Sequence, residues 1–536
     1  MPRKSRYIGV LAACGLLVAG FATTAAARTS AAPAGTTSLA TDIDKILSDP
    51  RIAHSRAGVV VKDARTGETL YSRDGDQLFN PASNNKLLTS AAAFHILGSG
   101  YRFHTSVDST ASPSGGVLHG NLYLKGGGDA SMLASDYDNL AAAVAAAKIK
   151  TVSGNLVADD TWFDNQRLAP FWAWDDEPWY YQAPISALTV APDTDDDAGA
   201  VYVDVAPGPA VGDPATITVR PQTSTVTIDN HVTTGPKGSA DTVSMLRRHA
   251  SPVVDVTGSI PLGGATYEDE PSVNNPTAEA ADVFRQALAR YGVRVEGPTT
   301  SGATPAGANQ VAGHDSATLG ALAIPFLKLS NNMIAEILTK SIGRKLSGQG
   351  TWSAGLAGIE GYLKSIGLDT SQFRMTDGSG LSRADLVEPD HLVTLLTAVE
   401  KEPWFSTWYN ALPIAGDPRR LVGGTLTRRM TGTPAAENVH AKTGSLTSVS
   451  ALSGYVTDAD GQPLVFSIME MNQLDEPVTD IEDAIAVRLA EFSSTHAASG
   501  AAWAGQLRPQ HSGTPHLLPD GRDPAGLECS WIRTGC

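Results

Sequence analysis

Two stretches of matching character stand far apart in this chain and confine the folds open to it. At the front, Val59-Val60-Val61, a turn at Ala64-Arg65-Thr66-Gly67 and the return Thr69-Leu70-Tyr71 read as a β-hairpin over 58–71. After Pro81, Leu87, Ala91, Phe94 and Leu97 recur every three or four residues and stop at Gly98, the period of a helix with one buried face. At the back, strand-like runs at 439–446, 449–456 and 464–471 follow closely enough to pair as an antiparallel meander. A helix then carries Ile481, Ile485, Leu489 and Phe492 on one side, with Thr479 and Glu482 in capping-box spacing. Between about 104 and 300 the texture changes to short β-like runs such as Leu122-Tyr123-Leu124, Val201-Tyr202-Val203 and Ile217-Thr218-Val219. Segments 111–116, 206–215 and 299–313 are rich in Pro, Gly, Ser and Ala and read as linkers. The pattern predicts one α/β domain split by a β-rich insertion, with a Gly/Pro/His-rich tail (497–528) extended over the surface.

Composition narrows the class. The 536 residues hold several domains' worth of chain at roughly 150 residues each. Hydrophobic residues make up 42% and charged ones 18%, too apolar for a disordered chain. Forty basic residues against 56 acidic ones give a net charge of −16, which argues against a nucleic-acid partner because neutralising phosphates needs basic surface. Three cysteines cannot build a disulfide scaffold or a cysteine-rich metal cluster. Twelve histidines include no H-E-x-x-H or i,i+4 pair, so no metal site is expected.

The N-terminus places basic Arg3, Lys4 and Arg6 before an uncharged apolar run at 8–22 and small residues Ala25, Ala26 and Ala27. That order is a secretory signal peptide over 1–27, with an uncleaved anchor as the alternative. Lipid attachment at Cys14 would leave only 8–10 as apolar core, which is too short. In an oxidising compartment Cys529 and Cys536 are expected to close a local disulfide, the alternative being two free thiols.

Three short motifs carry the chemistry. In Ser83-Asn84-Asn85-Lys86, a lysine one helical turn after a serine lies on the serine's face and can take its proton, which serine needs to become a nucleophile. Proximity to a helix N-terminus and a second cation would favour a neutral amine there. Ser330-Asn331-Asn332 offers a hydroxyl and an amide side by side ahead of a second helical pattern, suited to proton relay and to holding a carbonyl. Lys442-Thr443-Gly444-Ser445 lies on the first strand of the meander. There Gly444 allows close approach of a ligand, and the cation and hydroxyls can hold a carboxylate.

This trio, S-x-x-K with S-N-N in place of S-D-N and then K-T-G, resembles the penicillin-recognising serine enzymes. More narrowly, the chain is similar to the low-molecular-mass, class C (type 4) D-alanyl-D-alanine carboxypeptidases/endopeptidases of the actinomycete type. The 247 positions from Ser83 to Ser330 leave room for their large inserted domains, and the 112 from Ser330 to Lys442 are unremarkable. Leu124-Lys125-Gly126-Gly127-Gly128-Asp129, Asp159-Asp160-Thr161-Trp162-Phe163 and Asp377-Gly378-Ser379-Gly380-Leu381-Ser382-Arg383 share in the resemblance.

The resemblance implies an α/β (α+β) β-lactamase/transpeptidase-like domain, with an antiparallel sheet flanked by helices and split by two inserted β-rich domains. Its expected parts are 36–103 with 300–496, inserted domain II at 104–125 with 197–299, nested domain III at 126–196, and a tail at 497–536. It implies Ser83 as the acylated nucleophile, Lys86 as its base, Ser330 with Lys442 as a proton path to the leaving amine, and Asn332 as holder of the substrate carbonyl. Backbone N–H groups of Ser83 and Ser445 would form the oxyanion hole, and Thr443 and Ser445 would bind the terminal carboxylate. Asp176, Tyr181 and Arg383 would take the cationic side chain of a diaminopimelyl residue. The implied activity is secreted, cell-wall trimming of stem peptides ending in D-Ala-D-Ala through an acyl-enzyme, without a cofactor and open to acylation by β-lactams. The alternatives are a β-lactamase and a non-catalytic wall-binding or β-lactam-sensing protein.

Other features read as structure. Gly126-Gly127-Gly128 lacks the lysine of a phosphate loop and reads as a tight turn. Asp193-Thr194-Asp195-Asp196-Asp197 reads as a solvated acidic loop. His440 shares a strand face with Lys442 only if that strand is regular.

Overall fold

The hairpin forms as expected, from β1 (Arg56–Asp63) and β2 (Thr69–Arg73), in a computed structural model that describes residues 34–474, 478–495 and 502–507. The meander is β3 (His440–Leu446), β4 (Val449–Thr457) and β5 (Pro463–Met471). β1 pairs antiparallel with β5, from Arg56 opposite Met471 to Asp63 opposite Leu464. Front and back therefore close into one five-stranded sheet, ordered β2-β1-β5-β4-β3, with every pairing antiparallel.

Alternation along β1 explains why the sheet needs two helical layers. Val59 and Val61 pack with Ile43, Phe466 and Ile485 on one side, while Val60 packs with Phe79, Leu87 and Val465 on the other. Each such side chain contributes about 1.5–3 kcal/mol when fully buried, so neither face can be left to solvent. Helices α1 (Ala34–Ile46) and α5 (Thr479–Ala490) cover the first face; α2 (Asn85–Ile96), α3 (Asn332–Ser347) and α4 (Pro389–Val399) cover the second.

The insertion is grouped differently from the sequence expectation. Strands Thr299–Ser301, Leu156–Asp159, Leu122–Lys125, His104–Ser109 and Asn309–Asp315 form one sheet in that order, packed against helices Ala134–Ala146 and Pro276–Arg290. Segment 126–196, expected as a nested unit, thus shares a sheet and core with 104–125, and the separately packed β cluster is built from Val201 to Val273 instead. Parts of 299–313 are strands of this sheet rather than linker. The cause is pairing between positions far apart in sequence, such as Thr299 with Leu156.

Two local expectations change. The position preceding α5 is Val478, with no side-chain cap. Glu482 is buried, accepting from Ser450 Oγ at 2.5 Å and pairing with Arg429 at 2.7 Å, stronger partners than a cap would offer. In the tail, Ala502–Gly505 is a 3₁₀ turn that buries Trp503 in the layer of α1 and α5, with Lys45 Nζ 5.5 Å from its ring. The 1–27 segment, Cys14, Cys529 and Cys536 lie outside the described residues. Among the described residues no helix is long and apolar enough to cross a membrane.

Candidate active site

Ser83 sits in a 3₁₀ turn (Ala82–Asn84) that runs directly into α2, and Lys86 is in the first turn of that helix. Lys86 Nζ lies 2.7 Å from Ser83 Oγ and donates to the Ser379 carbonyl at 2.9 Å. Ala82, at φ 44°, bends the chain into the turn, held by its N–H donating to Asn80 Oδ1 at 2.9 Å. Gly380 backs this bend: a Cβ there would stand 1.8 Å from the Ala82 carbonyl, and its φ of +84° suits only glycine.

Ser330 has a left-handed φ of 60° between helix Leu319–Lys328 and α3. Asn331 caps α3, its Oδ1 accepting from the Ile334 N–H at 2.9 Å. Its Nδ2 donates to Asp197 Oδ1 at 2.9 Å and to the Asp195 carbonyl at 3.0 Å. From β3, Lys442 Nζ reaches Ser330 Oγ at 2.8 Å and its neighbour's carbonyl at Thr443 at 2.9 Å. A Cβ on Gly444 would meet the Pro81 carbonyl at 2.8 Å and Asn84 Nδ2 at 2.9 Å, so the strand presses directly on the Ser83 turn. Both lysines are fully buried, whereas Ser83, Asn332 and Ser445 keep partial exposure. The arrangement is a hydroxyl with an amine against it, and a second hydroxyl–amine pair on the facing elements.

Residues 39–492 match the D-Ala-D-Ala carboxypeptidase 3 (S13) family. The D-alanyl-D-alanine carboxypeptidase of Actinomadura sp. (strain R39) is 43% identical over 510 residues, covering 95% of this chain and 92% of that one. The chain belongs to the S13 family. It is therefore a serine peptidase, a hydrolase of the D-Ala-D-Ala carboxypeptidase type. The D-alanyl-D-alanine carboxypeptidase DacB of Haemophilus influenzae is 25% identical over 416 residues, 77% of this chain and 84% of that one. The fold is shared with the crystal structure of penicillin binding protein 4 (dacB) from Haemophilus influenzae, with TM-score 0.72 and 24% identity over 84% of this chain and 97% of that one.

Around the two hydroxyl–amine pairs the structure brings the remaining expected residues. Asn332 Nδ2 donates to the Tyr181 carbonyl at 2.8 Å, drawing the 171–182 loop to the site. Tyr181 OH donates to Asp176 Oδ1 at 2.9 Å. Burial pushes the Asp176 carboxyl up, against the Tyr181 hydrogen bond and the Arg383 charge, which favour the anion. Arg383 donates to the Thr447 carbonyl at 2.7 Å, at the turn between β3 and β4. Thr443 Oγ1 donates to Thr425 Oγ1 at 2.8 Å, and Ser445 is half-exposed on the same strand. Trp172 joins the same wall, its Nε1 donating to Asp377 Oδ2 at 2.7 Å.

Three further readings are resolved by packing. His440 stacks on Tyr409 with ring centroids 4.4 Å apart, and burial and the Lys328 charge push its pKa down to about 4, leaving a neutral ring. The glycines at 126 and 127 allow close approach, since a Cβ would stand 2.1 Å from the Ala187 carbonyl and 2.2 Å from that of His104. The acidic run is not a solvated loop: Asp196 and Asp197 are only 5% and 7% exposed, and Asp195 pairs with Arg420. The insertion folds this run against Asn331, which removes it from water. The Ser379 carbonyl belongs to the D-G-S-G run at 377–380, and its contact with Lys86 arises only once that run packs against α2.

Proposed function

We propose that Ser83 is the acylated nucleophile and Lys86 its general base, in a carboxypeptidase/endopeptidase acting on peptidoglycan stem peptides ending in D-Ala-D-Ala. The 2.7 Å contact between Lys86 Nζ and Ser83 Oγ carries this reading. Lys86 takes the hydroxyl proton as Oγ attacks the carbonyl of the penultimate D-alanine. The oxyanion develops against the backbone N–H groups of Ser83 and Ser445, a stabilisation of about 3–4 kcal/mol per donor in comparable sites. Ser330, hydrogen-bonded to Lys442, delivers a proton to the departing D-alanine amine. The C–N bond breaks and D-alanine leaves with the proton that Lys86 took from Ser83, relayed through Ser330. Water then attacks the Ser83 ester and gives one proton to the again-neutral Lys86 amine, and Lys86 passes it to Ser83 Oγ as the acyl–oxygen bond breaks.

Substrate contacts follow from the same wall. Asn332 holds a peptide carbonyl; Thr443, Ser445 and the Lys442 charge receive the terminal carboxylate. Asp176, Tyr181 and Arg383 line the place of the preceding side chain, where a carboxylate between a phenol and a guanidinium suits an amino-carboxylate group. A β-lactam acylates Ser83 in the same way, except that its broken amide stays tethered and cannot depart. The basic, apolar and small-residue order at the N-terminus supports export to the cell wall.

Release of D-alanine from a pentapeptide tests the reading. The wild-type protein releases it and Ser83→Ala does not. Equal release by the variant would overturn the assignment. The sensor alternative requires no release by either protein, and the β-lactamase alternative requires rapid turnover of penicillin in place of a stable adduct.

A further inference from the structure

Glu336 follows Asn332 by four residues on α3, one turn along the same helix face, and is fully buried. Its carboxylate accepts three N–H groups from two directions. Oε1 takes the Ser379 N–H at 2.7 Å, Oε2 takes the Trp352 indole N–H at 2.6 Å, and the Gly378 N–H lies 3.1 and 3.0 Å from the two oxygens. The next peptide group is the one that touches the reacting pair: the Ser379 carbonyl accepts from Lys86 Nζ at 2.9 Å, while the Gly380 N–H donates to Asp377 Oδ1 at 2.7 Å. The Gly378 carbonyl is fixed too, by Thr89 Oγ1 at 2.7 Å from α2. Glu336 thus anchors the start of the 378–380 turn, whose middle carbonyl reaches the amine.

We propose that Glu336 is a positioning residue for Lys86: as a carboxylate it locks the 378–380 turn so that the Ser379 carbonyl takes one Lys86 N–H and leaves the amine lone pair facing Ser83 Oγ. The inference rests on the reading of Lys86 as the base. A neutral amine is free to rotate about its terminal bond, and a lone pair pointing elsewhere cannot take the serine proton. One N–H pinned to a rigid carbonyl fixes one of the amine's three directions, so the lone pair faces Ser83 Oγ in one of two arrangements in place of one of many. Protonating Glu336 would put an O–H among N–H donors and remove acceptor capacity, loosening the turn.

The groups facing Glu336 make that protonation accessible near neutrality. Burial first, and then the buried Asp377 carboxylate, push it up to about 7, against hydrogen bonds from Ser379, Trp352 and Gly378. Lys340, one turn further along α3, contributes charge but spends its Nζ on Asp164 and the Gln166 carbonyl, each at 2.6 Å. Asp385 interacts with Asp377 and is itself held well above the usual carboxylate range by burial and by Asp377. Acylation should therefore decline as pH falls through about 7.

The test measures the rate of Ser83 acylation by a fluorescent penicillin against pH in the full-length protein and in Glu336→Gln, Trp352→Phe and Lys86→Ala. Glu336→Gln should acylate about 10- to 100-fold more slowly above pH 8 and lose the limb near neutrality. Trp352→Phe removes an N–H that favours the carboxylate, so its limb should move to higher pH. That shift keeps the proposal testable even if Glu336→Gln does not fold. A Glu336→Gln rate and limb equal to wild type, or an unmoved limb in Trp352→Phe, overturns the positioning role. If Lys86→Ala acylates at the wild-type rate, the base assignment fails and the positioning role with it. An inactive Lys86→Ala beside a normal Glu336→Gln rejects the positioning role alone.

Discussion

Asn331 donates its amide to Asp197 at 2.9 Å, so the segment inserted after the nucleophile helix grips the turn that presents Ser330. Ser330 stands in left-handed conformation, which a serine adopts only when its surroundings impose it. The insertion is thereby part of how the second motif is held. Asp197→Ala should lower thermal stability by about 0.5–1.5 kcal/mol and slow acylation, because it takes away one of the two acceptors of the buried Asn331 amide and leaves only the Asp195 carbonyl. Asp197→Asn keeps an acceptor oxygen and should restore most of both. Melting curves with penicillin-labelling rates on the two variants check this.

Ser330 and Lys442 form the second hydroxyl–amine pair, 2.8 Å apart, and their proposed work is to protonate a leaving amine. A peptide needs that proton for D-alanine to depart, whereas a strained β-lactam ring opens with less help. Ser330→Ala should therefore depress D-alanine release by about 10²- to 10⁴-fold and penicillin labelling by markedly less. Equal losses in the two assays would remove the distinction.

Gly380 faces the bend before the nucleophile, where a methyl group would stand 1.8 Å from the Ala82 carbonyl. Gly380→Ala adds that collision to the strain of a positive φ, about 1–3 kcal/mol before any repacking. Reduced melting temperature together with lost labelling is the expected result, since relief of the clash must displace Ser83.

Asp196 gives a pH prediction with a definite sign. Burial and the neighbouring Asp129, Asp195 and Asp193 carboxylates push its pKa up to about 8, above the unfolded value of 3.8. The native state thus holds a proton that the unfolded chain releases. Asp196 contributes stability that is fully present below about pH 4 and is lost as pH rises through about 8. Asp196→Asn should remove this dependence, so that the variant gains on wild type by on the order of a few kcal/mol between pH 5 and 9. Urea unfolding across that range measures the difference.

What was legible in the sequence was local. The three motifs each lie within a few residues and the hairpin and meander join neighbouring segments, where side-chain period and spacing carry the information. Grouping of the insertion was not, because Thr299 finds Leu156 and Asn309 finds Ser109 across long intervals that no short pattern encodes. Charge was misleading at the same range. Asp196 and Asp197 read as solvated and are buried, and Glu482 read as a cap and is an ion-pair partner. Glu336 carried no signal at all, since a glutamate inside a helix is unremarkable until the 378–380 turn is folded against it.

The central claim is that Ser83 forms the covalent intermediate. Peptide mass mapping after incubation with penicillin tests it most directly. One intact penicilloyl group is expected on the peptide containing Ser83, with no adduct in Ser83→Ala. An adduct on any other residue, or an undiminished adduct in the variant, would contradict it.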